Sequence, residues 1–299
     1  MKKVSILIAT YNRLTELKKT LNLLNPYLLE DVEILICDDK STDGTFKFLK
    51  KNYSELRIFR NKVNEGYLYS RNRLLNHVRT PYAISLDDDA NFLTENPISL
   101  IVDFFDKNSK CGVLAFRIFW GNSIPSTFQT TEISLRVKGF VGCGHAWRMK
   151  AWQDVPNYPE WFGFYGEEEF SSFHLLMKDW EVCYFPKILI HHRVSVKQRK
   201  KEKDYVLRLR RSLRSGWYLY FLFLHWKLIP HKMLYSIWMQ LKLKIFKGDY
   251  KAFIALIGAI IDLFKNIRFL IKNREPLSNE EIDEYNKISN TKIYWSPEK

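Results

Sequence analysis

The stretch that decides the fold is Tyr82-Ala83-Ile84-Ser85-Leu86-Asp87-Asp88-Asp89, a short apolar run that ends on three acids. A run of this length predicts a buried strand, and it is the last of four such runs in the first 90 residues. The three earlier runs are Val4–Ala9, Val32–Cys37 and Leu56–Phe59. The intervening segments that predict helices are Leu14–Leu24, Thr45–Lys51 and Tyr67–His77. Strands that alternate with helices in this way predict right-handed crossovers and a parallel sheet.

Two of these strands end on acidic residues, and their placement is the first indication of function. In open parallel sheets, ligands bind beyond the carboxyl ends of the strands. Asp87 and Asp89 face the same way because successive strand residues alternate, so their carboxylates suit Mg²⁺ or Mn²⁺. The alternative is a solvated acidic turn that caps the next helix. Asp38 and Asp39 end the second strand, where they are placed to accept hydrogen bonds from a base or ribose.

Four motifs carry a family resemblance. They are Val4–Arg13 (VSILIATYNR), Asp38–Thr45 (DDKSTDGT), Asn64-Glu65-Gly66 followed by Arg71-Asn72, and Asp87-Asp88-Asp89. In order and spacing they resemble the family 2 glycosyltransferases of the GT-A fold, over roughly residues 1–195. The resemblance implies an α/β fold with a Rossmann-like, mostly parallel central sheet flanked by helices. Lys40 stands where the family often has glycine, and we expect little consequence if its φ stays negative.

The resemblance also implies a binding site for a nucleotide-diphosphate sugar, with UDP-sugars favoured. The donor-binding residues that it implies are Thr10, Tyr11, Arg13, Asp38, Asp39, Arg71, Asp87 and Asp88. Thr10, Tyr11 and one of the two acids that follow the second strand would hold the base. Arg71 would approach the nucleotide or its diphosphate, which its charge suits. Asp87 and Asp89 would hold the ribose and a metal ion, Mn²⁺ or Mg²⁺, that bridges the diphosphate and neutralises the leaving group.

The acceptor half of the predicted site is less regular. The family has a Glu-Asp pair at the start of a helix, and this chain has Glu167-Glu168-Glu169 before a helix predicted near Glu168–Lys178. We favour Glu168 as the general base, with Glu167 as the second catalytic candidate. This base would deprotonate the acceptor hydroxyl during a single displacement that inverts the configuration. Three acids also suit a helix N-terminus through its dipole alone, so the choice among them stays open.

A histidine pair, His191-His192, follows the apolar run Ile188–Ile190 at a predicted strand end. In relatives with this arrangement a histidine completes the metal site, and neutral imidazole suits Mn²⁺. Both histidines are candidate ligands, with a slight preference for His192. The Gly-rich segment Gly139–Ala146 resembles the family segment beside the donor sugar and the acceptor, and it lacks the pattern of a P-loop.

Basic charge is concentrated in one segment. The net charge is +14, and residues 197–275 hold 19 Lys or Arg against five Asp or Glu, which accounts for the whole surplus. The aromatic and basic character of this segment predicts amphipathic helices that anchor at a membrane interface, with breaks at Pro230 and Gly248. The alternative is a helical subdomain packed on the core with solvated charges. Nucleic-acid binding is disfavoured because no recognition motif accompanies the charge.

These patterns divide the chain into a GT-A catalytic domain at 1–195, a basic amphipathic helical region at 196–275 and a polar C-terminal tail at 276–299. In the tail, we expect a short helix at Glu280–Glu284 before a loose end. Four cysteines without metal or redox spacing predict buried, reduced thiols of a cytosolic protein: Cys37, Cys111, Cys143 and Cys183. We therefore expect a cytoplasmic enzyme at the inner face of the membrane that builds surface polysaccharide or lipid-linked oligosaccharide. The alternative is an inactive nucleotide-binding or membrane scaffold protein on the same fold, which the complete carboxylate set disfavours.

Overall fold

The structure is a computed structural model that describes residues 2–29, 32–194 and 202–297. Most of the predicted basic run Lys197–Lys203 therefore lies outside the described residues. The strands are β1 (Val4–Thr10), β2 (Val32–Asp38), β3 (Arg57–Arg60), β4 (Tyr82–Asp87), β5 (Ala90–Phe92), β6 (Cys111–Trp120), β7 (Leu135–Arg136), β8 (Gly144–Arg148) and β9 (Glu181–His192). The α-helices are α1 (Leu14–Leu24), α2 (Thr45–Asn52), α3 (Tyr67–Leu75), α4 (Pro97–Lys107), α5 (Met149–Asp154), α6 (Glu167–Met177), α7 (Tyr205–Phe223), α8 (Ile229–Leu243), α9 (Tyr250–Lys272) and α10 (Asn279–Lys287).

The described strands form one sheet in the order β3-β2-β1-β4-β8-β6-β9-β5, with β7 paired to β9. The first four strands are parallel, as the alternation of strands and helices predicts. The later strands are mixed: β8 runs antiparallel to both β4 and β6, whereas β6 and β9 are parallel to each other. As a result β1, β2, β4, β6 and β9 all end at one edge of the sheet, and β8 begins there.

Both faces of the sheet are buried around its centre, which explains why β1, β2 and β4 have apolar residues at consecutive positions and not only at alternate ones. In β1, Val4, Ile6 and Ile8 contribute to the core on the side of α1 and α4. Leu7 and Ala9 contribute to the core on the side of α3, α5 and α6. The four cysteines are buried and unpaired, as predicted.

The C-terminal helices share a core with the sheet. Trp217 of α7 and Leu263 of α9 are buried in the same apolar cluster as Leu175 of α6. The predicted breaks are present, because Pro230 lies in the first turn of α8 and Gly248, with a φ of 87°, precedes α9. Where one domain ends and the next begins stays a prediction, since a continuous core crosses the predicted boundary.

The tail after α9 was expected to be loose beyond a short helix near Glu280–Glu284, and that expectation is wrong for the described part. A capping box formed by Ser278 and Glu281 starts α10. Beyond α10, Ser289 pairs with Val137 and Trp295 pairs with Phe119 in short parallel bridges. Residues 289–297, which we call the C-terminal strap, therefore run along the edge of the fold near the end of β6.

The turn after β2 also differs from expectation. Lys40 has a φ of 66°, so the condition for a harmless replacement of glycine is not met. The left-handed conformation brings the Cβ of a non-glycine residue too close to a neighbouring carbonyl oxygen, at a cost of roughly 1–2 kcal/mol. The glycine that the family often has here would avoid that contact.

Candidate active site

Three potential metal ligands meet at the end of the sheet. Asp87 ends β4, Asp89 follows it, and antiparallel pairing of β5 with β9 places His192 opposite Ala90. The ligand atoms of these three residues lie within 4.8 Å of one another. The His192 Nε2 atom is 3.1 Å from Asp89 Oδ1 and 3.9 Å from Asp87 Oδ2. Two carboxylates and an imidazole at this spacing fit Mn²⁺ or Mg²⁺ by donor type.

The electrostatics of this group favour a cation. Burial alone would lower the pKa of His192, but the neighbouring Cys143 thiol and the carboxylates of Asp89 and Asp87 raise it to about 10. The pocket therefore stabilises positive charge between its acids. His191 is not part of the group, because alternation along β9 turns it away and its Nε2 lies 2.8 Å from the carbonyl oxygen of Gly121. The structure thus brings His192, the slightly preferred candidate, to the two carboxylates, and its role as a metal ligand stays a prediction.

The middle acid of the triplet has a different placement. The Thr10 hydroxyl donates to Asp88 Oδ2 at 2.8 Å, and Arg13 Nε lies 2.8 Å from Asp88 Oδ1. Burial raises the pKa of Asp88 to about 7. Arg13 also contacts the carboxylate of Asp89. These three predicted donor-binding residues thus fasten the end of β1 to the acidic turn. Asp88 is not one of the three residues whose ligand atoms meet, which are Asp87, Asp89 and His192 and which we call the metal-type group.

The acids after β2 are also engaged by protein groups. Asp39 accepts hydrogen bonds from the side chain of Asn61 at 2.7 Å and from the backbone N–H groups of Glu65 and Gly66, both at 2.9 Å. Asp38 accepts from the backbone N–H of Ser41 at 3.1 Å and lies 3.2 Å from Arg60 Nε. These bonds shape the loops around the end of β2. Tyr11, by contrast, is 45% exposed and presents an open ring at the same edge.

Arg71 joins the donor half of the site to the acceptor half. Its buried guanidinium donates from Nη2 to Asp87 Oδ1 at 2.6 Å and lies 3.4 Å from the Gly142 carbonyl oxygen. Its Nε and Nη1 atoms have no hydrogen-bond partner among the described residues, although both are buried. A buried cation with unused donors suits an anionic ligand such as a diphosphate. Arg71 also lines a small cleft together with Tyr67, Gly142, His145, Tyr158, Glu167 and Glu168.

Of the three acids at the start of α6, two line this cleft. Glu168 accepts a hydrogen bond from the Gly142 N–H at 3.0 Å, and Glu167 is buried beside it. Burial, followed by repulsion from Glu167, raises the pKa of Glu168 well above its ordinary range. Burial likewise raises the pKa of Glu167 to about 7. A carboxylate with a raised pKa is a stronger proton acceptor when it is ionised. Glu169 is exposed and does not line the cleft.

Some residues of the cleft were not singled out from the sequence. The Tyr67 hydroxyl donates to Asp87 Oδ1 at 3.1 Å, directly after the Asn64-Glu65-Gly66 motif. His145 lies 3.4 Å from the Tyr158 hydroxyl through its Nε2, and burial lowers the pKa of His145 to about 3, so the imidazole is neutral. The Gly-rich segment indicated the region of Gly142 and His145. No sequence signal pointed to Tyr158.

Comparison with known proteins identifies the family. The chain matches the sequence model described as Glycosyl transferase family 2 over residues 5–166, which is more than half of its length. The chain belongs to glycosyltransferase family 2. The matched region includes Asp87 and Asp89 of the metal-type group, whereas His192 lies beyond it. The region ends one residue before the three acids at the start of α6.

A curated relative is the processive diacylglycerol beta-glycosyltransferase of Mycoplasma genitalium, with 32% identity over 124 residues. That match covers 40% of this chain and 36% of the relative. The first two curated relatives are covered over 36% and 56% of their own lengths. The chain thus spans about a third to about half of the length of these two relatives, and half or more of this chain lies outside each match.

Solved structures of glycosyltransferases share the GT-A fold with this chain. GalNAc-T7 with UDP, GalNAc and Mn²⁺ has a TM-score of 0.57 at 14% identity, over 75% of this chain and 48% of that chain. The mannosyltransferase PcManGT from Pyrobaculum calidifontis, in complex with GDP-Man and Mn²⁺, has a TM-score of 0.55 at 13% identity. That match covers 95% of this chain and 83% of the other, so it extends into the C-terminal helices.

Proposed function

We propose that this family 2 member transfers a sugar from a nucleotide-diphosphate donor to a hydroxyl of a glycan or lipid-linked acceptor, with inversion at the anomeric carbon. The observation that carries the proposal is the position of Arg71. Its guanidinium binds Asp87 of the metal-type group and lines the same cleft as Glu168. A diphosphate and an acceptor hydroxyl bound in this cleft would therefore meet between the guanidinium of Arg71 and the carboxylates of Glu167 and Glu168.

In the proposed reaction, Glu168 accepts the proton of the acceptor hydroxyl while the hydroxyl oxygen attacks the anomeric carbon. The bond between that carbon and the diphosphate oxygen breaks, and the electron pair leaves with the nucleoside diphosphate. Attack and departure take place on opposite faces, so a single displacement inverts the configuration. Arg71 stabilises the negative charge that develops on the departing phosphate. Gly142 orients Glu168 through its N–H.

Asp87, Asp89 and His192 are the residues that would hold Mn²⁺ or Mg²⁺. When bound, the ion would supply charge neutralisation of the donor diphosphate. The donor type and the spacing of the ligands support this assignment, and the two solved relatives that contain Mn²⁺ support the same ion. One of those two proteins binds UDP and the other binds GDP-mannose, so they do not indicate one nucleotide for this chain. We favour a UDP-sugar whose base lies against the exposed ring of Tyr11.

A membrane-bound acceptor fits the surface of the C-terminal helices. No helix among the described residues is long and apolar enough to cross a membrane. Yet α9 exposes an apolar stripe at helical spacing, which consists of Phe253, Ile254, Ile257, Ile261 and Phe264. Lys251, Lys265 and Arg268 lie on the same helix. An apolar stripe with basic neighbours is typical of helices that lie in the interface of an anionic membrane, and we propose peripheral association with the inner face.

The test of the reaction is donor turnover. Wild-type protein is incubated with a panel of UDP- and GDP-sugars and Mn²⁺, and released nucleoside diphosphate is measured alongside Asp89→Asn, Glu168→Gln and Glu169→Gln. We expect Asp89→Asn and Glu168→Gln each to lower turnover by on the order of 100-fold or more. Glu169→Gln is the matched control, since this exposed acid lies on the same turn of α6. An equal loss from Glu168→Gln and Glu169→Gln would contradict the assignment of the base.

The test of the membrane proposal is flotation with vesicles of phosphatidylglycerol and phosphatidylcholine. We expect wild-type protein to float and a double variant, Ile261→Ser with Phe264→Ser, to stay in the bottom fraction. Ile133→Ser is the control, because Ile133 is an exposed apolar residue, at 74%, that lies outside α9. If the double variant floats as well as wild type at every salt concentration, the stripe is not the contact.

A further inference from the structure

The C-terminal strap, residues 289–297, lies beside the metal-type group and plays no part in the reaction described so far. Its position is fixed by several contacts. The backbone N–H of Trp295 donates to the carbonyl oxygen of Ile118 at 2.6 Å. The guanidinium of Arg117 lies 4.4 Å from the centre of the Trp295 ring. Lys292 forms an ion pair with Glu132 at 3.1 Å. The strap is therefore anchored along the end of β6.

The anchored strap completes a row of rings that ends at a proposed metal ligand. Tyr294 stacks on Trp120, with ring centroids 6.0 Å apart and an interplanar angle of 29°. Trp120 in turn meets the His192 imidazole edge to face, at 5.8 Å and 86°. Tyr294 is 53% exposed, so the outer end of the row is open to solvent. Two ring-to-ring steps thus connect an exposed tyrosine to His192.

The side of the site on which this row lies indicates what it binds. The predicted nucleotide side of the site is at the ends of β1 and β2. It includes Tyr11, Asp38 and the loops that Asp38 and Asp39 hold in place. In the sheet order, β4 with Asp87 comes next, and β6 and β9 follow beyond β8. Trp120 and His192 end β6 and β9 and are paired in register. The row therefore lies across the metal-type group from the nucleotide side, where a second substrate would approach.

We propose that Trp120 and Tyr294 form a platform for a pyranose ring of the acceptor, so that the C-terminal strap is part of the acceptor subsite. This inference rests on the proposed transferase function. Aromatic rings offer flat apolar faces with a polar tip, and a sugar presents C–H groups on one face and hydroxyls at its rim. Trp120 and Tyr294 can therefore contact the C–H face of a saccharide and bind one of its hydroxyls. A lipid chain without a sugar has no group that would hydrogen-bond to the tyrosine hydroxyl. The acceptor class is thus a glycan or a glycosylated lipid.

The experiment separates acceptor binding from donor chemistry. Donor hydrolysis, with water as acceptor, is compared with transfer to a short-chain polyprenyl diphosphate that carries N-acetylglucosamine and to a panel of aryl glycosides. We expect Tyr294→Ala to raise the acceptor KM by about tenfold, which corresponds to about 1.4 kcal/mol. Donor hydrolysis should stay within about twofold of wild type, and Tyr294→Trp should restore the acceptor KM because it keeps the stack. The control is Ile293→Ala, a neighbour of equal exposure outside the row of rings.

Two results would overturn the platform while leaving the transferase intact. One is an unchanged acceptor KM in Tyr294→Ala. The other is an equal loss of donor hydrolysis and transfer, which would mean that the strap only supports His192. Saturation-transfer NMR with the same aryl glycosides gives a readout that does not need turnover. If no donor reacts with wild-type protein but glycoside binding still depends on Tyr294, the proposed transferase function fails and the platform stands.

Discussion

A single methyl group added at Gly142 tests the proposed position of the general base. A Cβ at this residue would lie 2.6 Å from Glu168 Oε1, whereas ordinary contact begins near 3.4 Å, so the carboxylate must retreat by about 0.8 Å. A misplacement of about 1 Å in an active site costs on the order of 100-fold in rate. Gly142 is not among the glycines with positive φ, so alanine fits its backbone without strain. We therefore expect Gly142→Ala to fold normally and to lose about 100-fold in kcat.

The assay compares kcat, the donor KM and the melting temperature. A loss confined to kcat, with an unchanged donor KM, is the expected result, since the donor half of the site is untouched. Gly216→Ala is the matched control, because Gly216 lies within α7 with open space around it. That variant should keep full activity and gain up to about 1 kcal/mol in stability from better helix propensity. Wild-type turnover in Gly142→Ala would refute the view that the Glu168 carboxylate must occupy its observed position.

Three further predictions concern stability. Lys40→Gly removes the left-handed strain and should raise the free energy of unfolding by up to about 1 kcal/mol, measured by urea denaturation, and a decrease would contradict the strain. Asp262 is buried and accepts from Arg210 Nε at 2.7 Å, so Asp262→Ala should cost about 2 kcal/mol by the same measurement, whereas a neutral result would show that the pair contributes nothing. Burial lowers the pKa of His174 to about 4. The exposed Glu275 carboxylate, 3.7 Å from His174 Nδ1, does not prevent this decrease in pKa. Because the unfolded chain takes up the proton near pH 6.5, stability should fall as the pH drops from about 6.5 towards 4, and His174→Gln should flatten that decline in melting temperature.

The sequence predicts the parallel half of the fold well because its signals are local. Each apolar run, helix and turn of the first 90 residues lies within a short window, and the structure differs from the predicted bounds by one or two residues. Asp87 and Asp89 come together as predicted, although the reason differs, because Asp88 and Asp89 lie in a turn after β4 and not in the strand. One backbone angle in this region was not predicted. The φ of Lys40 is positive because of the geometry of the turn, and the residues next to Lys40 in the sequence do not indicate it.

The residues that the sequence left open depend on pairing between distant segments. His191 and His192 are adjacent, and only the register of β5 on β9 decides which of them faces Asp89. Similarly, Glu168 and Glu169 are adjacent acids on one helix, and the choice between them follows from contact with Gly142, 26 residues earlier. A one-residue change of register would exchange the two faces of a strand, so an unaligned sequence cannot decide such questions.

The C-terminal strap is the extreme case of this dependence. Its composition is polar, which predicts a loose end, yet Trp295 binds the end of β6 from 175 residues away and brings Tyr294 over Trp120. Long-range closure of this kind costs chain entropy that the contacts must offset, and one such contact is the half-buried Trp295 ring on the buried Arg117 guanidinium. Tyr294 is 53% exposed and stacks on Trp120. Its exposed ring lies at the outer end of the row that ends at His192, where the acceptor sugar proposed above would stack on it.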